Sequence, residues 1–82
     1  MDQQDRRAAA HDLDATVRVG KGGIDSVVDE LDGQLDEHEL VKVKFLRAAR
    51  GGTSTDELAE QLADRVGAEL VETRGNTAVY YR

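Results

Sequence analysis

At 82 residues the chain is long enough for one small domain, near the lower limit of what a single core holds together, and without Cys it has neither disulfides nor thiolate metal sites to help. A formal net charge of −6 argues at first sight against nucleic acid. No segment is apolar enough to span a bilayer, Met1-Asp2-Gln3-Gln4-Asp5 has no leader-like apolar stretch, and His11 and His38 are too far apart to suggest a metal site. The expectation is one soluble, cytoplasmic domain over residues 1–82, without metal or cofactor.

Residues 3–11 read as a short helix of Arg and Ala whose one substantial apolar neighbour is Leu13, so the segment 1–14 is expected to pack weakly or fray. Residues 16–19 alternate as a strand, with Val17 and Val19 on one face and Arg18 on the other. After Gly20-Lys21-Gly22-Gly23 the apolar positions Ile24, Val27, Val28, Leu31 and Leu35 mark a helical stripe, with Gly33 weakening its last turn. His38, next to Glu39, falls where a helix C-terminus favours a cation. Residues 40–46 form the strongest strand: Val41, Val43 and Phe45 share one face, Lys42 and Lys44 the other with Leu40 and Leu46.

A flexible connection follows over 48–52. Ser54 then caps a helix, with Glu57 reaching back as its capping-box partner. Leu58, Leu62 and Val66, backed by Ala59 and Ala63, form its buried stripe, and Gly67 ends it. A third strand over 69–73, a tight turn Arg74-Gly75-Asn76-Thr77 and a last strand Thr77–Tyr81 complete the chain. Tyr80 and Tyr81 point to opposite faces, one into the core and the other open to stacking on a base. The order α-β-α-β-α-β-β closes as an α/β (α+β) fold, a four-stranded mixed sheet with helices packed on its apolar face.

Charge is segregated along this order. Residues 25–39 hold seven acids and no Lys or Arg, while residues 42–50 hold Lys42, Lys44, Arg47 and Arg50 and no acid. Asp outnumbers Glu and Lys occurs only at 21, 42 and 44, a balance that suits hydration in concentrated salt and suggests a halophilic source. An acidic protein-binding surface is the competing explanation.

The glycine turn after the first strand carries the most chemistry. Glycines let backbone approach a ligand closely, the first amides of a following helix favour an anion, and Lys21 adds a positive charge. A phosphodiester suits such a turn, although glycine at a strand-to-helix turn also serves steric needs alone. It is not a Rossmann fingerprint, because Asp25 stands where a further Gly is needed, and not a P-loop, because no Gly-Lys-Ser/Thr closes a longer loop and Gly23 follows Gly22 instead. Lys42 and Lys44 either face RNA or form the wet side of a half-buried strand. Arg47 and Arg50 either fold onto RNA or pair with nearby acids.

Three landmarks in order, Val17-Arg18-Val19-Gly20-Lys21-Gly22-Gly23, His38-Glu39-Leu40-Val41-Lys42-Val43-Lys44 and Gly75-Asn76-Thr77-Ala78-Val79-Tyr80-Tyr81-Arg82, resemble the CRM-domain family with its YhbY-like single-domain members. The resemblance runs from about Ala10 to the end. It implies a fold similar to the C-terminal domain of the third bacterial translation initiation factor, and a role with RNA: large ribosomal subunit maturation in prokaryotes, or intron splicing in plant organelles. On that analogy Gly20, Lys21, Gly22 and Gly23 meet the sugar–phosphate backbone, Lys42 and Lys44 are the basic strand, and Arg74 lies beside the hairpin's Gly75. The chain departs from the family in a short N-terminal helix that lacks the usual lysines and in having no basic extension after Arg82.

No nucleophile, base or carboxylate pair is patterned for catalysis, so a binding module is expected rather than an enzyme. The expected RNA contacts are Arg18, Gly20, Lys21, Gly22, Gly23, Lys42, Lys44, Arg47, Arg50, Arg74 and Gly75. The expected partner is ribosomal RNA or the pre-ribosomal large subunit, or another structured RNA such as a transfer RNA or intron, bound by a monomer away from membranes. The alternative is a protein-interaction adaptor whose acidic helix docks a basic ribosomal protein or assembly factor.

Overall fold

In a computed structural model that describes residues 12–82, the elements run β1 (Ala15–Val19), α1 (Val28–Glu37) entered through a 3-10 turn at Ile24–Val27, β2 (Leu40–Phe45), a 3-10 turn at Arg47–Ala49, α2 (Thr55–Val66), β3 (Glu69–Arg74) and β4 (Thr77–Tyr81). The helix expected over residues 3–11, and His11, lie outside the described residues. The sheet is mixed, with strand order β1-β2-β4-β3. β1 and β2 are parallel, as a crossover through α1 requires, while β4 pairs antiparallel with both β2 and β3. The two-residue turn Gly75-Asn76, with Gly75 at φ 58°, joins β3 and β4.

Alternation in the strands sends Val17, Val19, Val41, Val43, Phe45, Ala78 and Tyr80 to one face, where α1 and α2 cover them with Leu31, Leu35, Leu58, Leu62 and Val66. Each large aliphatic side chain so buried is worth about 1.5–3 kcal/mol before conformational entropy is charged against it. Tyr80 is the core tyrosine, fully buried, and its hydroxyl donates to the Ala59 carbonyl at 2.8 Å. Burial holds its phenol well above the usual tyrosine range. An exposed phenol ionises near about pH 10, so above that pH the unfolded chain releases a proton that the folded chain keeps. Stability therefore falls as pH rises past about 10. Urea midpoints taken on either side of that pH should show the loss, and Tyr80→Phe should shrink it while costing about 1 kcal/mol at neutral pH.

Several local expectations are modified. The first helix opens as a 3-10 turn because Ser26 closes tightly on Gly23, its amide and its hydroxyl both donating to the Gly23 carbonyl, at 3.3 and 2.7 Å. The helix continues through Gly33 to Glu37, with Leu31 and Leu35 buried on either side. Ser54 does cap α2, accepting from the Glu57 amide at 3.2 Å, but the Glu57 carboxylate accepts from Thr53 Oγ1 at 2.7 Å instead of reaching back to Ser54. Gly67 ends α2 in the left-handed conformation, φ 64°. His38 stands at the end of α1 as expected, where its backbone amide donates to the Gln34 carbonyl at 2.8 Å.

Two features tie the layers together beyond the main core. The Arg82 guanidinium bonds the carboxylates of Asp32 and Asp36, the latter at 2.6 Å, and the Val66 carbonyl at 2.9 Å, so the end of β4 is fastened to both helices. Hydrogen bonding to Asp32 raises its proton affinity further. Arg65 likewise pairs with Asp25, linking α2 to the start of the first helical segment. The second feature lies on the other face of the sheet. A register shift between Leu70 and Glu72 accompanies a small apolar cluster there, in which Val71 and Val79 are buried beneath Leu13, Leu40 and Tyr81.

Candidate nucleic-acid interface

Three turns meet at one end of the sheet. β1 and β2 run parallel and so finish together, and the β3–β4 turn lies there because β4 starts opposite the end of β2. The Leu46 amide donates to the Val19 carbonyl at 2.8 Å, and the Phe45 amide to the Asn76 carbonyl at 2.7 Å. A Cβ on Gly20 would stand 3.7 Å from Leu46 Cδ1. The glycine turn, the turn after β2 and the hairpin turn therefore form one continuous surface.

Within the glycine turn the Gly23 amide donates back to the Gly20 carbonyl at 3.0 Å, which lifts Lys21 and Gly22 to an exposed crest. No backbone carbonyl of the described residues takes the Lys21 or Gly22 amide. Gly23 has φ 74° with an extended ψ of −176°, a conformation nearly reserved for glycine. At Gly22 a Cβ would come within 3.1 Å of Ser26. The turn thus needs glycine at 23, while at 22 a side chain requires Ser26 to give by a few tenths of an ångström, and its shape leaves Lys21 exposed and the Lys21 and Gly22 amides without a backbone acceptor.

Behind the turns, on the face away from the helices, a row crosses all four strands. Arg18 is in register with Lys44, Lys44 with Thr77, and Thr77 with Arg74. Strands about 4.8 Å apart make such a row about 14 Å long. Like charges on neighbouring strands are unfavourable by themselves, so Arg18 beside Lys44 is the arrangement an anion relieves. Lys42 does not belong to this row. It stands one row further from the turns, in register with Val79, which is in turn opposite Glu72. Arg47 is exposed, whereas Arg50 uses Nε to donate to the Phe45 carbonyl at 3.1 Å. Arg50 thus pins the turn after β2 instead of pairing with an acid.

The exposed acids Asp29, Glu30, Asp32, Asp36 and Glu37 of α1, and Asp56, Glu57, Glu60 and Asp64 of α2, lie in the helical layer on the opposite side of the sheet from the basic row. The charge segregation seen along the sequence is therefore also spatial. Thr77 was absent from the expected contacts; only strand register places it between Lys44 and Arg74, where its hydroxyl donates to the Arg74 carbonyl at 2.8 Å. Among the described residues no three His, Asp or Glu side chains gather as metal ligands, and no helix is long and apolar enough to cross a membrane.

Comparison with known proteins adds to this geometry. The CRS1 / YhbY (CRM) domain pattern matches residues 2–82. The chain is 42% identical over 76 residues to a probable RNA-binding protein of Methanocaldococcus jannaschii, covering 93% of this chain but only 57% of that protein's length. It is 35% identical over 77 residues to YqeI, a probable RNA-binding protein of Bacillus subtilis, covering 93% of this chain and 78% of that one. The solution structure of a Staphylococcus aureus protein, described as a candidate RNA binder, superimposes with a TM-score of 0.81 at 33% identity, covering 98% of this chain and 82% of that chain.

Proposed function

The chain belongs to the CRS1 / YhbY (CRM) domain family, and from that premise we propose that it is an RNA-binding module that grips the backbone of structured ribosomal RNA during assembly of the large subunit. The observation that carries this reading is the convergence of the glycine turn, the turn after β2 and the Arg18–Lys44–Arg74 row on one end of the sheet, with the acids of α1 and α2 on the other side. RNA-binding names among the relatives support it.

In this mechanism the Lys21 and Gly22 amides and the Lys21 ammonium meet phosphate oxygens at the crest. Arg18, Lys44 and Arg74 hold the following phosphates, the guanidinium forks by paired hydrogen bonds. Arg47 extends the contact along the turn after β2. The acid-loaded helices face away and discourage unspecific adhesion. They also suit an environment of concentrated salt, where the Debye length falls to about 3 Å and steering from afar contributes little. Binding then rests on short contacts, so affinity should fall less with salt than the number of bases suggests. This is recognition, not catalysis.

Titration of the purified protein with large-subunit ribosomal RNA fragments, in dilute and in molar KCl, tests the reading. Saturable binding that persists in molar KCl is the expected result. Failure to bind in either salt, together with capture of a basic ribosomal protein that is lost on reversing Asp29, Glu30 and Asp36, would replace it with the adaptor role.

A further inference from the structure

The two arginines of the basic row stand at opposite edges of the sheet, Arg18 on β1 and Arg74 on β3, with Lys44 and the uncharged Thr77 between them. We infer that this end of the sheet takes double-helical RNA and not an unpaired strand, lying across the minor groove with Thr77 bonded to a ribose 2′-hydroxyl. The inference rests on the RNA-binding reading above and narrows it to one class of RNA.

The chemistry of this surface suits backbone and not bases. The chain has three aromatic residues, Phe45, Tyr80 and Tyr81. Phe45 and Tyr80 are fully buried in the core, and Tyr81 is in register with Leu40 and Glu69, at the end of the sheet far from the turns. Residues 18–23, 46–53 and 74–77, which make the three turns and most of the row, contain no aromatic residue. Leu46 is half-buried against Gly20. An unpaired strand gains much of its hold from bases stacked on aromatic rings, and this end of the sheet has none. Its guanidinium forks, ammonium groups and hydroxyl are partners for phosphate and ribose, which a helix with its bases paired inside presents.

Shape selects the groove. Strand pairing fixes the row, so Arg18 and Arg74 are held about 14 Å apart at their Cα atoms. A flat sheet face does not enter a deep groove, whereas the minor groove of A-form RNA is wide, shallow and lined with 2′-hydroxyls. The minor groove of B-form DNA is only about 6 Å wide and has no such hydroxyls. Arg18, with Lys21 beyond it on the same edge, then holds one backbone, and Arg74 holds the other. Thr77 falls over the groove between them. Its hydroxyl hydrogen is engaged by the Arg74 carbonyl at 2.8 Å, which leaves the oxygen lone pairs to accept from a 2′-hydroxyl. A fixed row that meets a rigid duplex also loses less entropy than one that must order a flexible strand.

The test compares one RNA sequence as a single strand, as a duplex with its RNA complement, and as the corresponding DNA duplex, by fluorescence anisotropy in the same salt. Wild-type protein should bind the RNA duplex about 10- to 150-fold more tightly than the single strand, the gain from one charge-assisted contact to the second backbone. It should also prefer the RNA duplex to the DNA duplex. Thr77→Val, which keeps a branched side chain in the strand, should weaken RNA-duplex binding by about 2- to 12-fold and leave DNA-duplex binding unchanged. Thr77→Ser should restore the preference. A loss in Thr77→Val that falls equally on both duplexes overturns the inference, because a residue that only shapes the turn would act on both alike. A single strand bound as tightly as the RNA duplex, or equal affinity for the two duplexes, also overturns it and leaves the RNA-binding reading standing. Binding to none of the three overturns the RNA-binding reading, and the inference with it.

Discussion

Reversing Arg18 and Lys44 together to Glu should weaken binding to a structured RNA by at least about 100-fold, taking each charge-assisted phosphate contact as worth about 1.5–3 kcal/mol. The two residues are neighbours in the row across the outer face, one on β1 and one on β2. Reversal removes two phosphate contacts and puts two negative charges where the RNA backbone runs. Neither side chain belongs to a core cluster, so the melting temperature should stay close to wild type. Lost contacts also leave a thermodynamic signature: the slope of log affinity against log salt should become shallower by about one for each phosphate contact removed. Lys42→Glu, one row away, should leave binding to a blunt duplex nearly intact. Fluorescence anisotropy with a labelled hairpin at several KCl concentrations measures all of these quantities.

The largest effect on stability is expected at Phe45. Its side chain is fully buried beneath the helices, and truncation to Ala should cost about 3–5 kcal/mol. Natural domains are stable by only about 5–15 kcal/mol in total, and one of this size sits toward the lower part of that range. Phe45→Ala should therefore leave a substantial unfolded fraction in dilute buffer. The position matters for the site as well. The Phe45 amide holds the hairpin turn through Asn76, and its carbonyl holds the turn after β2 through Arg50. Truncation should loosen two of the three turns even in protein that remains folded. Urea denaturation followed by circular dichroism gives the first quantity, and hydrogen exchange at the Phe45 and Leu46 amides gives the second.

How far the structure could be read from the sequence depends on how local the determining interactions are. Alternation at Val17 and Val19, and at Val41, Val43 and Phe45, is a two-residue signal that marks the buried face without knowledge of any partner strand. The stripes Leu31–Leu35 and Leu58–Leu62–Val66 do the same for α1 and α2. Strand order is another matter. Nothing in the period of β4 announces that it inserts between β2 and β3, yet that insertion is what aligns Thr77 with Lys44 and Arg74. A row that crosses four strands, with its bases on three of them, is thus invisible until the strands are placed.

The second apolar cluster was hidden for a related reason: Val71 stands at a shift in β3 register, and strict alternation says nothing about such an interruption. Arg82 reads from sequence as another base beside the last hairpin. Its partners Asp32 and Asp36 are 50 and 46 residues away, so its role as a fastener follows only from the fold. The glycine turn is the opposite case. The glycine-rich strand-to-helix turn is a local feature, with Gly23 in a conformation nearly reserved for glycine, and it is legible residue by residue.

The most direct test of the glycine turn as the gripping element is one titration of large-subunit ribosomal RNA with wild-type protein and with the Lys21→Glu/Gly22→Asp variant, each checked for a cooperative melt. The variant places two carboxylates at the crest, and its affinity should fall by about 100-fold or more while it remains folded. A folded variant that binds as tightly as wild type would contradict the account and move the grip to Arg18, Lys44 and the turn after β2.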